Sequence, residues 1–194
     1  MSPVYFATTN KKKFTTISNT LLEYGIKVIH HNLQLPEPRG DNLREITNEK
    51  IQFAYHNIQK PCLALDSGFF IHSLNGFPKT YVNFALETIG IEGLLKLVEG
   101  KSRDCEFRSC LAYLDNPSLE PTYFETTISG TLTEKPQGLM DNYCWSKLFL
   151  IFKPTTMNTT LAEMGLEEYQ EWRSLGLEDS FTTKFAKWFS SSKK

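Results

Sequence analysis

Apolar residues in this chain change from short strand-like runs to helical spacing and back, and this alternation restricts the fold more than any other feature. Val4 to Ala7 predicts a short buried strand, whereas the apolar positions from Phe14 to Tyr24 fall at helical spacing. Further on, a second helix would be capped by Asp41 or Asn42 and would turn Phe53 inward. The elements predicted for this part are strands at 4–7 and 27–30, a loop at 32–40, and helices at 11–24 and 41–59.

The rest of the chain adds longer strand-like stretches. Pro61 precedes an apolar run that ends at Asp66, and the Asp115-Asn116-Pro117 turn separates two runs typical of long antiparallel strands. The run Leu148–Phe152 predicts a buried strand. The remaining predictions are strands at 62–65, 69–72, 105–114 and 122–133, and helices at 81–89, 91–98 and 178–190. Helical elements followed by a hairpin predict an α/β fold on a mixed sheet, not a regular parallel repeat.

Length and charge limit the number of domains and the class of partner. A chain of 194 residues fits one domain, or one domain with two lobes, and we expect residues 1–194 to form a single domain. The 21 Lys and Arg residues nearly balance 22 Asp and Glu, for a net charge of -1. The chain therefore has no overall attraction to nucleic acid or to an anionic membrane, and any anion site must be local. We expect neither as a partner.

The cysteines and the N-terminal residues bear on the compartment. Cys62, Cys105, Cys110 and Cys144 form no C-x-x-C pair, and we expect buried free thiols. The N-terminal residues contain no basic segment followed by an apolar core, so no signal peptide is expected. The longest aliphatic and aromatic run is far too short to span a bilayer. A reducing cytoplasm is the compartment that we predict.

The first candidate site is the polar turn Thr8-Thr9-Asn10 with the lysines Lys11–Lys13 after it. A helix that begins here would present unpaired N–H groups and a partial positive charge, which together bind phosphate well. The G-x-x-x-x-G-K-[ST] spacing of a P-loop is absent. A solvated basic helix start is the alternative interpretation of this segment.

Two carboxylates form the second candidate site. Asp66 follows an apolar strand in the turn-like sequence Asp-Ser-Gly, and Glu37 follows a proline on the predicted loop. Ligands gather at the carboxyl ends of strands in α/β sheets. Mg²⁺ in proteins takes one or two carboxylates together with substrate phosphates, so Glu37 and Asp66 could hold this ion. Taken separately, each carboxylate is better explained as a solvated surface charge.

The order of these motifs resembles that of the inosine triphosphatase family. Thr-Thr-Asn-Lys-Lys-Lys at 8–13, Leu-Pro-Glu at 35–37, Asp-Ser-Gly at 66–68 and Leu-Asn-Gly-Phe-Pro at 74–78 carry the resemblance. It continues through most of the chain, including the hairpin and Ala162-Glu163-Met164. The resemblance implies an elongated mixed sheet flanked by helices, with two lobes, a substrate cleft between them, and usually a homodimer.

The resemblance also implies roles for individual residues. Thr8, Thr9, Asn10 and Lys13 would hold the triphosphate, Lys50 and Ser67 would contact substrate, and Tyr143, Trp145 and Ser146 would lie near the base. Glu37 and Asp66 would bind Mg²⁺, the expected cofactor. Asp66 would also activate the water that attacks the α-phosphorus, while Mg²⁺ and the lysines would stabilise the developing charge.

The chain departs from the family pattern at several positions. Leu65 replaces the first of two adjacent acids, and Lys79 replaces the glycine of a Pro-Gly turn, where positive φ is easily adopted. Ser146 replaces an aspartate near the base, and the family's Ser-His-Arg has no counterpart in Ser180–Lys184, where neither His nor Arg occurs. Unpaired buried donors and acceptors cost about 1–3 kcal/mol each, so these changes affect base choice most.

The resemblance therefore predicts a Mg²⁺-dependent nucleoside triphosphate pyrophosphatase. Its substrates would be deaminated purine nucleotides, such as the inosine and xanthosine triphosphates and their deoxy forms. Their products would be the nucleoside monophosphate and pyrophosphate. Three alternatives remain: a relative with a changed nucleotide substrate, a nucleotide-binding protein that has lost catalysis, and a protein-interaction module that keeps only the fold.

Overall fold

Asparagine caps set the start of the first two helices in the computed structural model, which describes residues 3–38 and 40–192. Asn10 Oδ1 accepts a hydrogen bond from the Lys13 N–H at 3.0 Å, and helix α1 runs Lys11–Glu23. Asn42 Oδ1 accepts from the Arg44 N–H at 3.0 Å, and α2 runs Leu43–Ile58. Both helices begin where an unpaired N–H finds a side-chain acceptor, and Asn42 is confirmed as a cap. Arg39, in the predicted loop, lies outside the described residues.

Parallel pairing of the first three strands places α1 and α2 in crossover connections. Strand β1 (Val4–Ala7) pairs in parallel with β2 (Val28–His31) along its whole length, from Val4↔Val28 to Ala7↔His31. On its other side β1 pairs in parallel with β3 (Cys62–Ile71), at Tyr5↔Cys62 and Phe6↔Leu63. Parallel neighbours need a long connection, and the two helices provide it.

Strand β3 is one strand where the sequence predicted two. The predicted strands 62–65 and 69–72 join, and Asp66-Ser67-Gly68 lies inside the strand instead of in a turn. Its second half pairs antiparallel with the short strand β4 (Pro78–Lys79), at Phe69↔Lys79 and Phe70↔Pro78. A Cβ at Gly68 would lie 2.8 Å from the Lys79 carbonyl oxygen, so Gly68 allows this close pairing.

The remaining elements complete a seven-stranded mixed sheet flanked by helices. They are α3 (Val82–Thr88), α4 (Gly90–Leu97), β5 (Asp104–Leu114), β6 (Thr122–Leu132), β7 (Phe152–Pro154), α5 (Leu166–Leu175) and α6 (Phe181–Ser192). Three short 3-10 helices lie at His72–Leu74, Lys147–Leu150 and Leu177–Asp179. The strand order is β2-β1-β3-β5-β6-β7, with β4 paired to β3. The predicted mixed α/β fold is confirmed. No helix of the described ranges is long and apolar enough to cross a membrane.

The chain divides into two compact units, each made of separate segments. The first comprises the described parts of Met1–Asp66, Ser109–Thr126 and Gly176–Lys194, and the second comprises Ser67–Arg108 and Thr127–Leu175. In the first unit, one cluster of buried residues includes Phe6, Leu21 and Phe185, and another includes Ile51 and Ala64. The core of the second unit includes Phe69, Phe107 and Phe152. Two units agree with the predicted lobes, and the single domain stays a prediction.

Three local predictions were wrong or incomplete. Leu148–Phe152 is not a strand: a 3-10 helix ends at Leu150, and only Phe152 belongs to a strand, where it pairs with Leu132. Phe53 was expected to point inward but is 41% exposed. The buried face of α2 includes two polar residues, Thr47 and Lys50, so this face does not coincide with the most apolar positions of the helix. Helix α5, which buries only Tyr169, was not predicted.

Candidate active site

Lys50 joins the two candidate carboxylates. Its Nζ donates to Asp66 Oδ1 at 2.5 Å and to Glu37 Oε2 at 3.2 Å. The Lys50 side chain is 6% exposed and that of Asp66 is 11% exposed, whereas that of Glu37 is 74% exposed. We call these three residues the Lys50 junction. It contains a buried ion pair, which fixes Lys50 and Asp66, and an exposed carboxylate that reaches the same ammonium.

The elements of the first unit explain why these groups meet. Lys50 lies on the buried face of α2, between the buried residues Ile46 and Ala54. Asp66 lies in β3, and Ala64, two residues earlier on the same face of that strand, belongs to the cluster that includes Ala54. Burial raises the pKa of Asp66, although Lys50 and then Lys13 act in the opposite direction. Asp66 is therefore a better proton acceptor than an exposed aspartate.

Lys13 and the polar turn before it adjoin this junction. Thr8 Oγ1 accepts from the Asn10 N–H at 3.1 Å, and Asn10 in turn caps α1 through Lys13 N. Burial lowers the pKa of the Lys13 ammonium, Asp66 opposes this shift, and the like charge of Lys50 adds to it. Lys13, in the first turn of α1, thus interacts electrostatically with Asp66, Lys50 and Glu37. Thr9 is exposed in the same turn.

The arrangement has one place suited to an anion and one suited to a cation. The ammonium groups of Lys13 and Lys50 can bind phosphate oxygens, and the partial positive charge at the start of α1 adds to their effect. Glu37 and Asp66 both contact the Lys50 ammonium, and their carboxylate oxygens are the donors that a cation would use here. Among the residues that the structure describes, no group of three or more His, Cys, Asp or Glu side chains could hold a metal ion.

The neighbours of Asp66 in β3 take the other face of the strand. Leu65 packs, partly buried, against the cluster that includes Leu21 and Phe185, so this position serves the core of the first unit. Ser67 shares that alternation and is half-buried. The carboxylate missing from the family pattern is thus replaced by an apolar contact on the side of β3 opposite to Asp66.

The residues expected near the base all lie in the second unit. Tyr143 is 8% exposed and stacks on Tyr169 with ring centroids 4.6 Å apart. Its hydroxyl donates to the Met164 carbonyl, and the Leu161 carbonyl lies 3.2 Å from the same oxygen. Trp145 is partly buried against Phe107 and Phe149. In the same segment Ser146 Oγ accepts from the Leu148 N–H at 3.3 Å and caps the 3-10 helix. All three positions therefore have structural contacts of their own.

Lys79, which stands where the family pattern has glycine, adopts a backbone conformation typical of glycine. Lys79 adopts φ 56°, in the left-handed region that glycine favours. Its N–H donates to the Gly76 carbonyl at 2.9 Å, which closes the turn. Lys79 therefore adopts a left-handed backbone conformation, which costs a residue other than glycine roughly 1–2 kcal/mol.

Residues 4–174 match the Ham1 family. The chain belongs to this family. A dITP/XTP pyrophosphatase of Methanopyrus kandleri is 35% identical over 189 residues, which cover 96% of this chain and 95% of that protein. A dITP/XTP pyrophosphatase of Saccharolobus solfataricus is 32% identical over 162 residues, which cover 83% of this chain and 81% of that protein. The resemblance to inosine triphosphatases is confirmed.

Solved Ham1 structures share the fold. A HAM1 protein from Coxiella burnetii superposes with a TM-score of 0.75 at 20% identity, covering 97% of this chain and 98% of its own. A nucleoside-triphosphatase, or dITP/XTP pyrophosphatase, from Mycobacterium abscessus superposes with a TM-score of 0.70 at 22% identity. The match covers 90% of this chain and 95% of that protein. Because these identities are low, the likeness to the solved structures supports only the fold.

Proposed function

We propose that this Ham1 protein hydrolyses nucleoside triphosphates to the nucleoside monophosphate and pyrophosphate, and that deaminated purine nucleotides are its substrates. The observation that carries the proposal is the Lys50 junction beside Lys13 and the start of α1. It combines a phosphate-binding group with a buried carboxylate, and the relatives that share the sequence over most of their length are dITP/XTP pyrophosphatases.

The chemistry follows from the charges of these side chains. Lys13 and the Thr8–Asn10 turn would hold the phosphate chain at the helix start. Asp66 would orient the attacking water and accept its proton as it approaches the α-phosphorus, a role favoured by its raised pKa. Lys50 would keep the carboxylate of Asp66 in place and, together with Lys13, would stabilise the negative charge that develops on the phosphates.

Magnesium fits the donor set. Glu37 and Asp66 supply the one or two carboxylates that this ion takes when it also binds substrate phosphates, and both already contact a single cation. When bound, the ion would neutralise phosphate charge and polarise the bond that is broken. Within the proposal Glu37 and Asp66 are the ligands, and the exposed Glu37 can adjust to the incoming nucleotide.

A second candidate is the same reaction on a different base. Tyr143 and Ser146, expected near the base, have contacts within the second unit, and the segment that replaces Ser-His-Arg has Ser180 as the cap of α6. The aspartate, histidine and arginine that the family pattern uses to select the base are therefore absent at these positions. This observation favours a changed base preference over the loss of catalysis, because Lys13, Glu37, Lys50 and Asp66 are all present.

The compartment and the assembly belong to the same proposal. Cys62, Cys105, Cys110 and Cys144 are all free and buried, as expected, and a reducing cytoplasm would keep them so. We further propose a homodimer, supported by the family resemblance, and light scattering of the purified protein would test it. A monomer at micromolar concentration would contradict that part of the proposal.

Pyrophosphate release from a panel of nucleoside triphosphates, with Mg²⁺ and with chelator, tests the proposal. Metal-dependent release from inosine or xanthosine triphosphate well above adenosine triphosphate is the expected result. Pyrophosphate release from a triphosphate with another base would agree with the same mechanism and would favour a changed base preference. No release from any triphosphate would contradict catalysis.

Asp66→Asn tests the role of the carboxylate. It should lower kcat by about 10²–10⁴-fold, because the proton acceptor is lost. The dissociation constant for inosine triphosphate measured without Mg²⁺ should remain within a few-fold, since Lys13 and the helix start are intact. Unchanged turnover in this variant would contradict the role of Asp66 in water activation.

A further inference from the structure

Thr8, the first residue of the proposed triphosphate-binding turn, is held by a side chain from the neighbouring strand. We propose that His30, on β2, is a positioning residue for triphosphate binding that acts through the Thr8 carbonyl. This inference rests on the proposed function, because it assigns the Thr8–Lys13 segment to the phosphates. The sequence of β2 gave no indication that His30 would contact the turn.

The hydrogen bond between His30 and Thr8 requires a hydrogen on one particular ring nitrogen. His30 Nε2 lies 2.8 Å from the Thr8 carbonyl oxygen. A carbonyl oxygen can only accept, so Nε2 carries a hydrogen and donates it. Thr8 is one residue beyond the end of β1, so its carbonyl lies past the strand pairing, which ends at Ala7↔His31. The imidazole thus donates to a backbone carbonyl that lies beyond the ladder of strand hydrogen bonds.

A second contact connects the same ring to the helix. His30 and Phe14 stack with ring centroids 4.6 Å apart and planes inclined by 23°. Phe14 is in the first turn of α1, and its N–H donates to the Asn10 carbonyl at 3.1 Å. His30 therefore contacts both ends of the turn: the residue that opens it and the helix that closes it.

Together these contacts fix Thr8 at three atoms. Its N–H donates to the His31 carbonyl at 3.2 Å, its carbonyl accepts from His30, and its Oγ1 accepts from the Asn10 N–H. Asn10 then caps α1 at Lys13. A turn that is already ordered loses little conformational entropy when an anion binds, so affinity for the triphosphate should depend on His30.

The expected kinetic signature is a change in KM without a change in kcat. His30 acts through its contacts with Thr8 and Phe14, and the order that it gives to the turn would serve the bound substrate and the transition state equally. Loss of uniform binding raises KM and leaves kcat unchanged. A role in stability alone would lower the melting temperature without moving KM.

Three variants separate the two contacts of the ring. His30→Phe keeps an aromatic ring on Phe14 and removes the donor. His30→Gln removes the ring, and its Nε2 is the same number of bonds from Cβ as the histidine Nε2, so it can still donate to Thr8. His31→Phe is the matched control, because neighbouring strand residues point to opposite faces and its backbone carbonyl is retained.

Steady-state kinetics with inosine triphosphate and Mg²⁺, and hydrogen exchange of the amides of residues 8–13, provide the readouts. In His30→Phe we expect KM to rise about 3- to 10-fold with kcat within 2-fold, in line with the loss of one hydrogen bond. Exchange of the Asn10 and Lys13 amides should be faster. His30→Gln should restore both quantities most of the way, and His31→Phe should leave them as in the unaltered protein.

Several results would overturn the inference. An unchanged KM in His30→Phe, an equal rise in His31→Phe, or no recovery in His30→Gln would each remove the hydrogen bond to Thr8 as the cause. If the unaltered protein releases no pyrophosphate from any triphosphate, the proposed function fails by itself. In that case the amide exchange rates still decide whether His30 orders the turn.

Discussion

Replacing Lys50 with methionine would leave the Asp66 carboxylate buried without its ammonium partner. Methionine keeps most of the length and volume of the lysine stem, so packing on the inward face of α2 should change little. The charge does change, and only 11% of the Asp66 side chain is exposed to water that could compensate. The variant therefore isolates the electrostatic part of the Lys50 junction.

The size of the effect follows from the burial of the two partners. The contact with Glu37 should contribute less than about 1 kcal/mol, since an exposed ion pair is screened by solvent and that carboxylate is 74% exposed. Breaking a buried pair by removing one partner costs about 3–5 kcal/mol. We expect Lys50→Met to lower the free energy of unfolding by about 3 kcal/mol at pH 8, nearly all of it through Asp66.

The pH dependence has a definite sign. Burial already raises the pKa of Asp66, and removing Lys50, which lowers it, raises it further. A carboxyl group whose pKa is higher in the folded state favours folding when protonated, and this contribution is lost as pH rises through the folded pKa. The stability deficit of Lys50→Met should therefore be larger at pH 8 than at pH 5.

Urea unfolding of a double-mutant cycle would measure these quantities. The four proteins are the unaltered chain, Lys50→Met, Asp66→Asn and the double variant, each at pH 5 and pH 8. In the Asp66→Asn background, Lys50→Met should cost less than about 1 kcal/mol, because no buried charge is left unpaired. A cost below 1 kcal/mol in the unaltered background, or an equal cost in both, would refute the reasoning.

Three further predictions concern single residues. Lys13→Ala should weaken inosine triphosphate binding about 10-fold or more in calorimetry, because a charged donor to the phosphates is lost, and an unchanged dissociation constant would exclude the helix start as the anion site. Lys79→Gly should raise the free energy of unfolding by about 0.5 kcal/mol, since relief of the left-handed lysine exceeds the entropy cost of glycine, and a net loss in urea unfolding would contradict this. Cys62 is fully buried with its pKa raised to about 12, so iodoacetamide should label it only after unfolding, and rapid labelling of the folded protein at pH 8 would be inconsistent with the structure.

Elements with local signals could be predicted from the sequence. Asn42 was one of two proposed caps, β1 has its predicted limits, and β5 and β6 agree with their predicted strands within one residue. Helix α5 also had a usable signal that was missed: Leu166, Tyr169 and Trp172 recur every three residues. Such features depend on neighbours along the chain, which the sequence contains directly.

Features that depend on distant partners could not be predicted in this way. Asp66-Ser67-Gly68 has the composition of a turn, and only the pairing with β4 explains why β3 continues through it. The inward position of Lys50 contradicts its polarity and is understandable only once Asp66 lies opposite. The family resemblance identified Lys13, Glu37, Lys50 and Asp66 as a set, yet the ion pair within that set required the packing of α2 on the sheet.

The segmented make-up of the first unit has a consequence during synthesis. Its core combines Phe6 and Leu21 from the start of the chain with Phe185 and Phe189 from α6. The hydrophobic cluster beneath α1 therefore stays incomplete until residues 181–192 have left the ribosome, although Lys13, Lys50 and Asp66 emerge much earlier. A nascent chain stalled after β6 should therefore carry Glu37, Lys50 and Asp66 but lack the helix that completes the core beneath α1, and we expect it to release no pyrophosphate.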